Sequence, residues 1–385
     1  MLAPEGWPYA STPPVGEGDP GRFHALFGRD SLIVSLQVLR ERPEVARATL
    51  RAHAALMGRR EDLDTQEEPG KVVHEWRARP PQTLIDAGWP DTDEEFRYYG
   101  SADSTPWFLV VLAALGDRAL AGELEGAWRA AAAWLEGALA RGGGFVRYGP
   151  GRRRGGLTQQ GWRDAVDPTD PRGQGSGILH PDGRIPASPL ADADVQAAAL
   201  AGLRAAGRLS GEARWDAAAR RLRERIAEAF DAETMAVEPD GTRVAGAGSQ
   251  LGWLLWADAL PAGGPREAAA ARLCEPDVLT DFGLRTLAAG HGAYGAAFYH
   301  RGAVWPFDSW LGWGGLRAAG REAEAERVRT GVLAALDVLG HAPELYAVAG
   351  APPRPEVVPL SNFVQAWTIG ARHALERRWD GSAAA

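Results

Sequence analysis

One cysteine in 385 residues, Cys274, leaves no material for a disulfide framework or a cysteine-built zinc site. Lysine is almost absent as well: of 42 basic residues only Lys71 is lysine. That bias, with abundant alanine, glycine and arginine, has the look of a GC-rich genome rather than of a selected function. A formal charge of −8 argues against the basic face of a nucleic-acid binder. No window holds about 18 uncharged apolar residues, so no membrane span is expected. The N-terminus, MLAPEGWPYASTPPVGEGDPG, lacks a basic stretch followed by an apolar one. No signal peptide is read there, and a cytoplasmic protein is the expectation. Metal chemistry finds little support: the eight histidines are scattered, and His74-Glu75 lacks the second histidine of a zinc helix. No Walker loop occurs, and GQGSG at 173–177 reads as a flexible loop rather than a nucleophile elbow. The three arginines at 152–154 read as a solvated turn.

What the chain does have is a globular composition and an excess of indole. It is 45% hydrophobic and 24% charged, enough for a large core. Fifteen tryptophans outnumber both the seven tyrosines and the ten phenylalanines. Apolar residues recur with helical period over 31–40, 43–59, 105–115, 119–139, 191–209 and 212–230. The same period marks 250–260, 265–273, 304–319, 322–339 and 362–378. In most pairs the first helix is apolar all round (TPWFLVVLAAL) and the second carries a charged face (RWDAAARRLRERIAEAF). The first kind belongs inside and the second outside. Alternation over about six hairpins predicts two concentric rings, an all-α (α/α)6 barrel, as one domain over 1–385 with 1–24 as an N-terminal extension. A helical solenoid is the rival, but the hairpins share no repeat of fixed period.

Links within pairs are short, while links between pairs are long and rich in Gly, Pro, Trp and acids. In such a barrel the long links open on one end, so function is expected at a single mouth. Paired carboxylates flanked by indoles are found there: Asp164 in QQGWRDAVD and Glu344 in HAPELY. Glycosidic hydrolysis needs one carboxylic acid to protonate the leaving oxygen and one carboxylate to activate water or attack. Sugar C–H faces stack on indoles, and hydroxyls suit Arg–Asp pairs. Taken alone, both acids could equally be helix caps or surface acids.

The ordered motifs add to this. HALFGRDSLIVSL (24–36) resembles the opening motif of the amylo-α-1,6-glucosidase, or glycogen-debranching, group of six-hairpin glycosidases. EEPGKVVHEWR, YYGSADSTPWFL, QGWRDAVD, DGRIPASPLADADVQ, GLRTL, YHRGAVWPFD and PELY…SNFVQAW follow in colinear order over nearly the whole chain. Mannosylglycerate and glucosylglycerate hydrolases and trehalases share the barrel and parts of the pattern. The resemblance implies that Asp164 is the general acid and Glu344 the general base of an inverting hydrolase. It implies that Arg29 and Asp30 hold hydroxyls of the terminal sugar. His74, Glu75, Tyr99, Asp103, Trp162, Arg163, His300, Trp305 and Gln365 fall in matching segments as candidate wall residues. It implies no cofactor, a carboxyl separation of about 6.5–9.5 Å, and an oligosaccharide or small glycoside as partner. Arg163 would oppose a raised Asp164 pKa if it turned toward that carboxyl.

The chain departs from the group in three places. About 25 residues precede FGRD, so the group's usual β-rich N-terminal domain is not expected here. Ala-Val-Asp follows GWRD where a serine is common, and Asp194 stands where glutamate is usual. These differences touch the substrate more than the reaction, and a small glycoside such as glucosylglycerate, mannosylglycerate or trehalose is the alternative to a dextrin branch. A sugar phosphorylase, epimerase or lyase, or a non-catalytic sugar binder, are the rivals of another class. Among the tryptophans, 107, 253, 256, 310, 313, 128, 134 and 215 fall on helices as core. Trp162 and Trp305, with Trp76 and Trp89, are candidate sugar platforms.

Overall fold

The structure is a computed structural model that describes residues 1–16, 22–359 and 361–381. Residues 17–21 of the extension expected over 1–24, and Leu360 in the last long link, lie outside the described residues. Helices dominate. The helices that line the centre are α1 (Gly28–Gln37), α4 (Ser104–Leu115), α7 (Ala193–Ser210), α9 (Gln250–Trp256), α11 (Pro306–Ala318) and α13 (Ala366–Glu376). Each packs on the next in that order, and α13 packs on α1. Against them lie α2 (Pro43–Ala55), α6 (Glu125–Arg141), α8 (Ala213–Ala229), α10 (Gly264–Leu273) and α12 (Glu322–Leu339). Two short helices, α3 (Gln82–Asp86) and α5 (Arg118–Glu123), complete the set.

Sequence explains this partition. Every residue of α1 and α9 is buried, whereas α8 buries only Trp215, Ala218, Ala219, Leu222 and Ile226 along one stripe. A helix without a polar face can satisfy its side chains only among other helices. Asp192 caps α7 by accepting from Val195 N (2.6 Å), and Gly211 ends it in the left-handed region at φ 70°. One apolar cluster runs from Leu32 to Trp379, with Trp107 against Trp253 and Trp256 at its heart. The C-terminal turn is stitched to the inner helices: Trp379 donates to Leu36 O and Trp310 to Trp379 O, each at 2.7 Å.

The helix expected over 119–139 is broken at Leu124, where α5 hands over to α6. The helix expected to reach Leu260 stops at Trp256, because Asp258 takes φ 47° and is bound there by Arg266. No helix follows α13 among the described residues, so the hairpins number five with α13 left single. Short antiparallel strands, unforeseen in the helical reading, brace the links. β1 (Leu26–Phe27), β2 (Glu75–Arg77) and β3 (Phe96–Tyr98) form one sheet, and β4 (Ala191–Asp192), β5 (Thr234–Val237) and β6 (Arg243–Ala245) another. β7 (Leu279–Thr280) pairs with β8 (Gly283–Leu284), and β9 (Tyr346–Ala349) with β10 (Arg354–Val357). β1 runs directly into α1 and β4 into α7, which fixes the first turns of those helices. Among the described residues no helix is long and apolar enough to cross a membrane.

Candidate active site

The N-terminal ends of the central helices supply the polar groups of one cavity. Arg29 and Asp30 stand in the first turn of α1, while Asp103, Trp305 and Gln365 immediately precede α4, α11 and α13. Helix N-termini carry partial positive charge, which favours carboxylates collected there. The cavity encloses about 540 Å³, and Asp164 and Glu344 both line it.

Asp164 is held by charge. Arg29 donates from Nη2 to Asp164 Oδ2 at 2.7 Å, and its Nη1 reaches Asp103 (3.1 Å) and Gly161 O (3.0 Å). The Asp164 side chain keeps 25% of its surface exposed. Burial pushes its carboxyl up to about 6 against the pull of Arg29. Glu344 is held differently. It is 1% exposed, Tyr299 donates its hydroxyl to Oε1, and Asn362 donates its backbone N (3.1 Å) and Nδ2 (3.2 Å) to Oε2. Burial pushes this carboxyl up to about 7, the Tyr299 hydrogen bond opposing. Asp30 is likewise raised to about 7 by burial, with Arg29 opposing. Gln365 links the two acids' surroundings, donating to Asp30 Oδ1 (3.5 Å) and accepting from Asn362 Nδ2 (3.2 Å).

Of the other residues singled out in the sequence, His74, Glu75, Trp162, His300 and Trp305 also line the cavity. His74 and His300 are kept neutral by burial, and His300 Nδ1 accepts from Gly177 N (3.0 Å). Burial raises the Glu75 carboxyl, and Arg77 opposes it. Trp162 lies parallel to Trp253 at 6.2 Å and meets Trp305 edge-on at 5.6 Å. Three residues sit elsewhere. Asp103 lies beneath the cavity, 1% exposed, under Arg29. Tyr99 turns away and donates to Leu56 O (2.8 Å). Arg163 points away from Asp164 and ends on Asp194 (2.9 Å), so the opposition expected of it comes from Arg29 instead. The expected Arg29–Asp30 pair is thereby divided: Arg29 binds Asp103 and Asp164, and Asp30 faces Gln365. Trp89 lines the cavity, whereas Trp76 packs against Trp7.

Sequence reading missed Tyr299, Tyr98 and Trp367, which also line it. For Tyr98 a signal existed. It ends a three-residue strand whose period of two buries Phe96 and Tyr98 on one side. Tyr299 opens the motif YHRGAVWPFD, but its bond to Glu344 joins residues 45 apart in sequence and leaves no local pattern. A second, smaller and open pocket of about 220 Å³ shares Arg22, Phe23, Leu157, Asp164, Val166 and Tyr299 with the first, while Glu344 borders only the larger one. Among the described residues no group of three or more His, Cys, Asp or Glu is arranged to hold a metal ion.

Residues 159–350 match the family model of the mannosylglycerate hydrolase MGH1-like glycoside hydrolase domain. No curated protein matches the chain. Among solved structures, an uncharacterized conserved protein from Thermus thermophilus superposes with a TM-score of 0.64 at 16% identity, covering 97% of each chain. The GH63 mannosylglycerate hydrolase of the same organism, in complex with glucose, gives 0.63 at 16% identity, again over 97% of each chain. The form of that hydrolase with Tris and D-glycerate gives 0.63 at 15%, over 98% of this chain and 97% of the other. These likenesses give the chain a predominantly helical glycosidase fold. The domain matched over 159–350 makes it a glycoside hydrolase.

Proposed function

We propose that the protein is an inverting hydrolase of a small α-glycoside, with Asp164 as general acid and Glu344 as general base. The ring of central helices is, in this reading, the inner wall of an (α/α)6 barrel formed by one domain over 1–385. The observation that carries the proposal is that Asp164 and Glu344 line one cavity, with Asp164 also reaching the open pocket beside it. A leaving-group oxygen must lie beside the acid, between sugar and aglycone. The larger chamber, of about 540 Å³, is of small-molecule size and suits the sugar. Glycogen debranching, the first expectation from the motifs, is less well supported than a small substrate, since the matched domain is of the mannosylglycerate hydrolase type. A cytoplasmic setting belongs to the same reading.

The reaction follows from the two carboxyls. Asp164 gives its proton to the glycosidic oxygen as the C1–O bond breaks, and a water on the opposite face forms the new C1–O bond while Glu344 takes its proton. A gap of about 6.5–9.5 Å between the carboxyls would admit that water. Trp162 and Trp305 supply apolar walls for sugar C–H faces, and Asp30 and Gln365 supply groups for hydroxyls. In the free protein burial raises both carboxyls, the acid to about 6 and the base to about 7. Covering the exposed part of Asp164 raises its pKa further and drives the proton toward the acid.

A panel of mannosylglycerate, glucosylglycerate, trehalose and limit dextrins, with anomers of the product resolved by NMR, tests the reading. Turnover of the glycosylglycerates to β-anomers is expected. Exclusive turnover of dextrins, or release of α-anomers, would overturn it.

A further inference from the structure

Loop 160–164, which carries Asp164, is closed by a bridge between Gln159 and Ala165. Its residues are held by several parts of the helix ring. Gln160 O accepts from Ala102 N (2.9 Å), just ahead of α4. Gly161 packs so closely on α7 that a Cβ there would stand 2.4 Å from Asp192 Oδ2. Trp162 faces the cavity, and Asp164 meets Arg29. Between them Arg163 runs the other way, 1% exposed, into the body of the protein.

We propose that Arg163, gripped by Asp194, is a positioning residue for Asp164: it sets where the acid stands against Arg29 and the leaving oxygen without touching substrate. Its guanidinium bonds to three elements at once. Nε reaches Asp194 Oδ2 (2.9 Å) in the first turn of α7, Nη2 reaches Ser249 Oγ (2.9 Å) just ahead of α9, and Nη1 reaches Thr286 O (3.3 Å). The same guanidinium lies 4.3 Å over the Trp162 ring. One side chain thus locks the residues on both sides of it, a sugar wall and the acid. A planar five-donor fork can do this; a lysine ammonium cannot reach all three partners in the same plane. Stability is a poor reason for the pair, because a buried ion pair roughly cancels its own desolvation. Geometry is a better one, since a displacement of about 1 Å at a reacting group can cost about 100-fold in rate.

The proposal rests on Asp164 being the general acid, and the experiment separates the two. Arg163→Lys, Asp194→Glu, Ser249→Ala and Asp164→Asn are compared with the native protein on mannosylglycerate and glucosylglycerate, with kcat, KM, pH profile and thermal unfolding recorded. Arg163→Lys should lower kcat about 10- to 100-fold with KM within about threefold. The pH limb of Asp164 should move up as its contact with Arg29 loosens. Asp194→Glu, which keeps the pair, should retain most of kcat and the native limb. Should Arg163→Lys fold poorly, Ser249→Ala removes a single contact and should show a few-fold loss with the limb moved the same way. Losses that only track the folded fraction, or a native kcat and an unmoved limb in Arg163→Lys or Ser249→Ala, overturn the positioning role. Near-native turnover by Asp164→Asn would instead overturn the acid, whatever Arg163 does.

Discussion

The two carboxyls of the cavity are both raised, yet they are sheltered in opposite ways. Asp164 sits on a loop facing solvent, with a quarter of its side chain exposed and a guanidinium in contact. Glu344 is nearly sealed, and the groups that hydrogen-bond it, on Tyr299 and Asn362, are neutral donors. A cation steadies one protonation state strongly and ties the group to its position. Neutral donors leave a buried carboxylate near the point of balance, where water can be deprotonated at neutral pH.

The largest expected effect tests whether both shelters serve chemistry. Asp164→Asn and Glu344→Gln should each cut kcat on a glycosylglycerate by about 100- to 10,000-fold while leaving folding and sugar affinity largely intact. On a 4-nitrophenyl α-glycoside, whose leaving group needs little protonation, Asp164→Asn should recover much of its loss and Glu344→Gln should not. Equal losses on both substrates would erase the asymmetry, and near-native rates in either variant on every substrate would remove that residue from the mechanism.

How far the comparison could be read from sequence follows from the range of the interactions. The helices that build the ring were legible, because TPWFLVVLAAL and RWDAAARRLRERIAEAF declare their burial within a single turn or two. The carboxyls themselves were legible through their ordered motifs. Their partners were not. Arg29 reaches Asp164 across 135 positions and Gly161 across 132, and no local pattern records such a meeting. The orientation of Arg163 was equally hidden, since alternate residues of a closed loop face opposite ways only once the Gln159–Ala165 bridge exists. Short strands such as β1 and β4, two residues each, fall below the length at which alternation can be seen at all.

A middle-sized effect distinguishes the donors. Tyr299→Phe removes the hydroxyl that holds the Glu344 carboxylate, so the Glu344 pKa should rise from about 7. The limb of the kcat/KM profile belonging to Glu344 lies above that of Asp164, near 6. The upper limb should therefore move up, and the maximum should fall by roughly tenfold for each unit of rise, because fewer molecules have the base ionised while the acid is protonated. The lower limb should stay. A lower limb that moves with Tyr299→Phe would mean that the hydroxyl acts on Asp164.

The smallest effect is on stability, and it again sets the two shelters apart. The Glu344 carboxyl is raised in the folded protein above its ordinary value of 4.5. The native state therefore holds this proton more tightly than the unfolded chain, and the contribution is full below about 4.5 and lost as pH rises through about 7. An amide cannot ionise and escapes that loss. In Glu344→Gln the new side chain can still accept from Asn362 through its carbonyl, and its NH2 can donate to Tyr299 once that hydroxyl rotates. The substitution should thus raise Tm at pH 8 by about 2–4 °C and leave it nearly unchanged at pH 4. Asp164→Asn should gain less at pH 8, because Arg29 and water already compensate the native charge. Calorimetry at the two pH values checks both, and an equal or larger gain for Asp164→Asn would show that the cation, not the seal, is the weaker shelter.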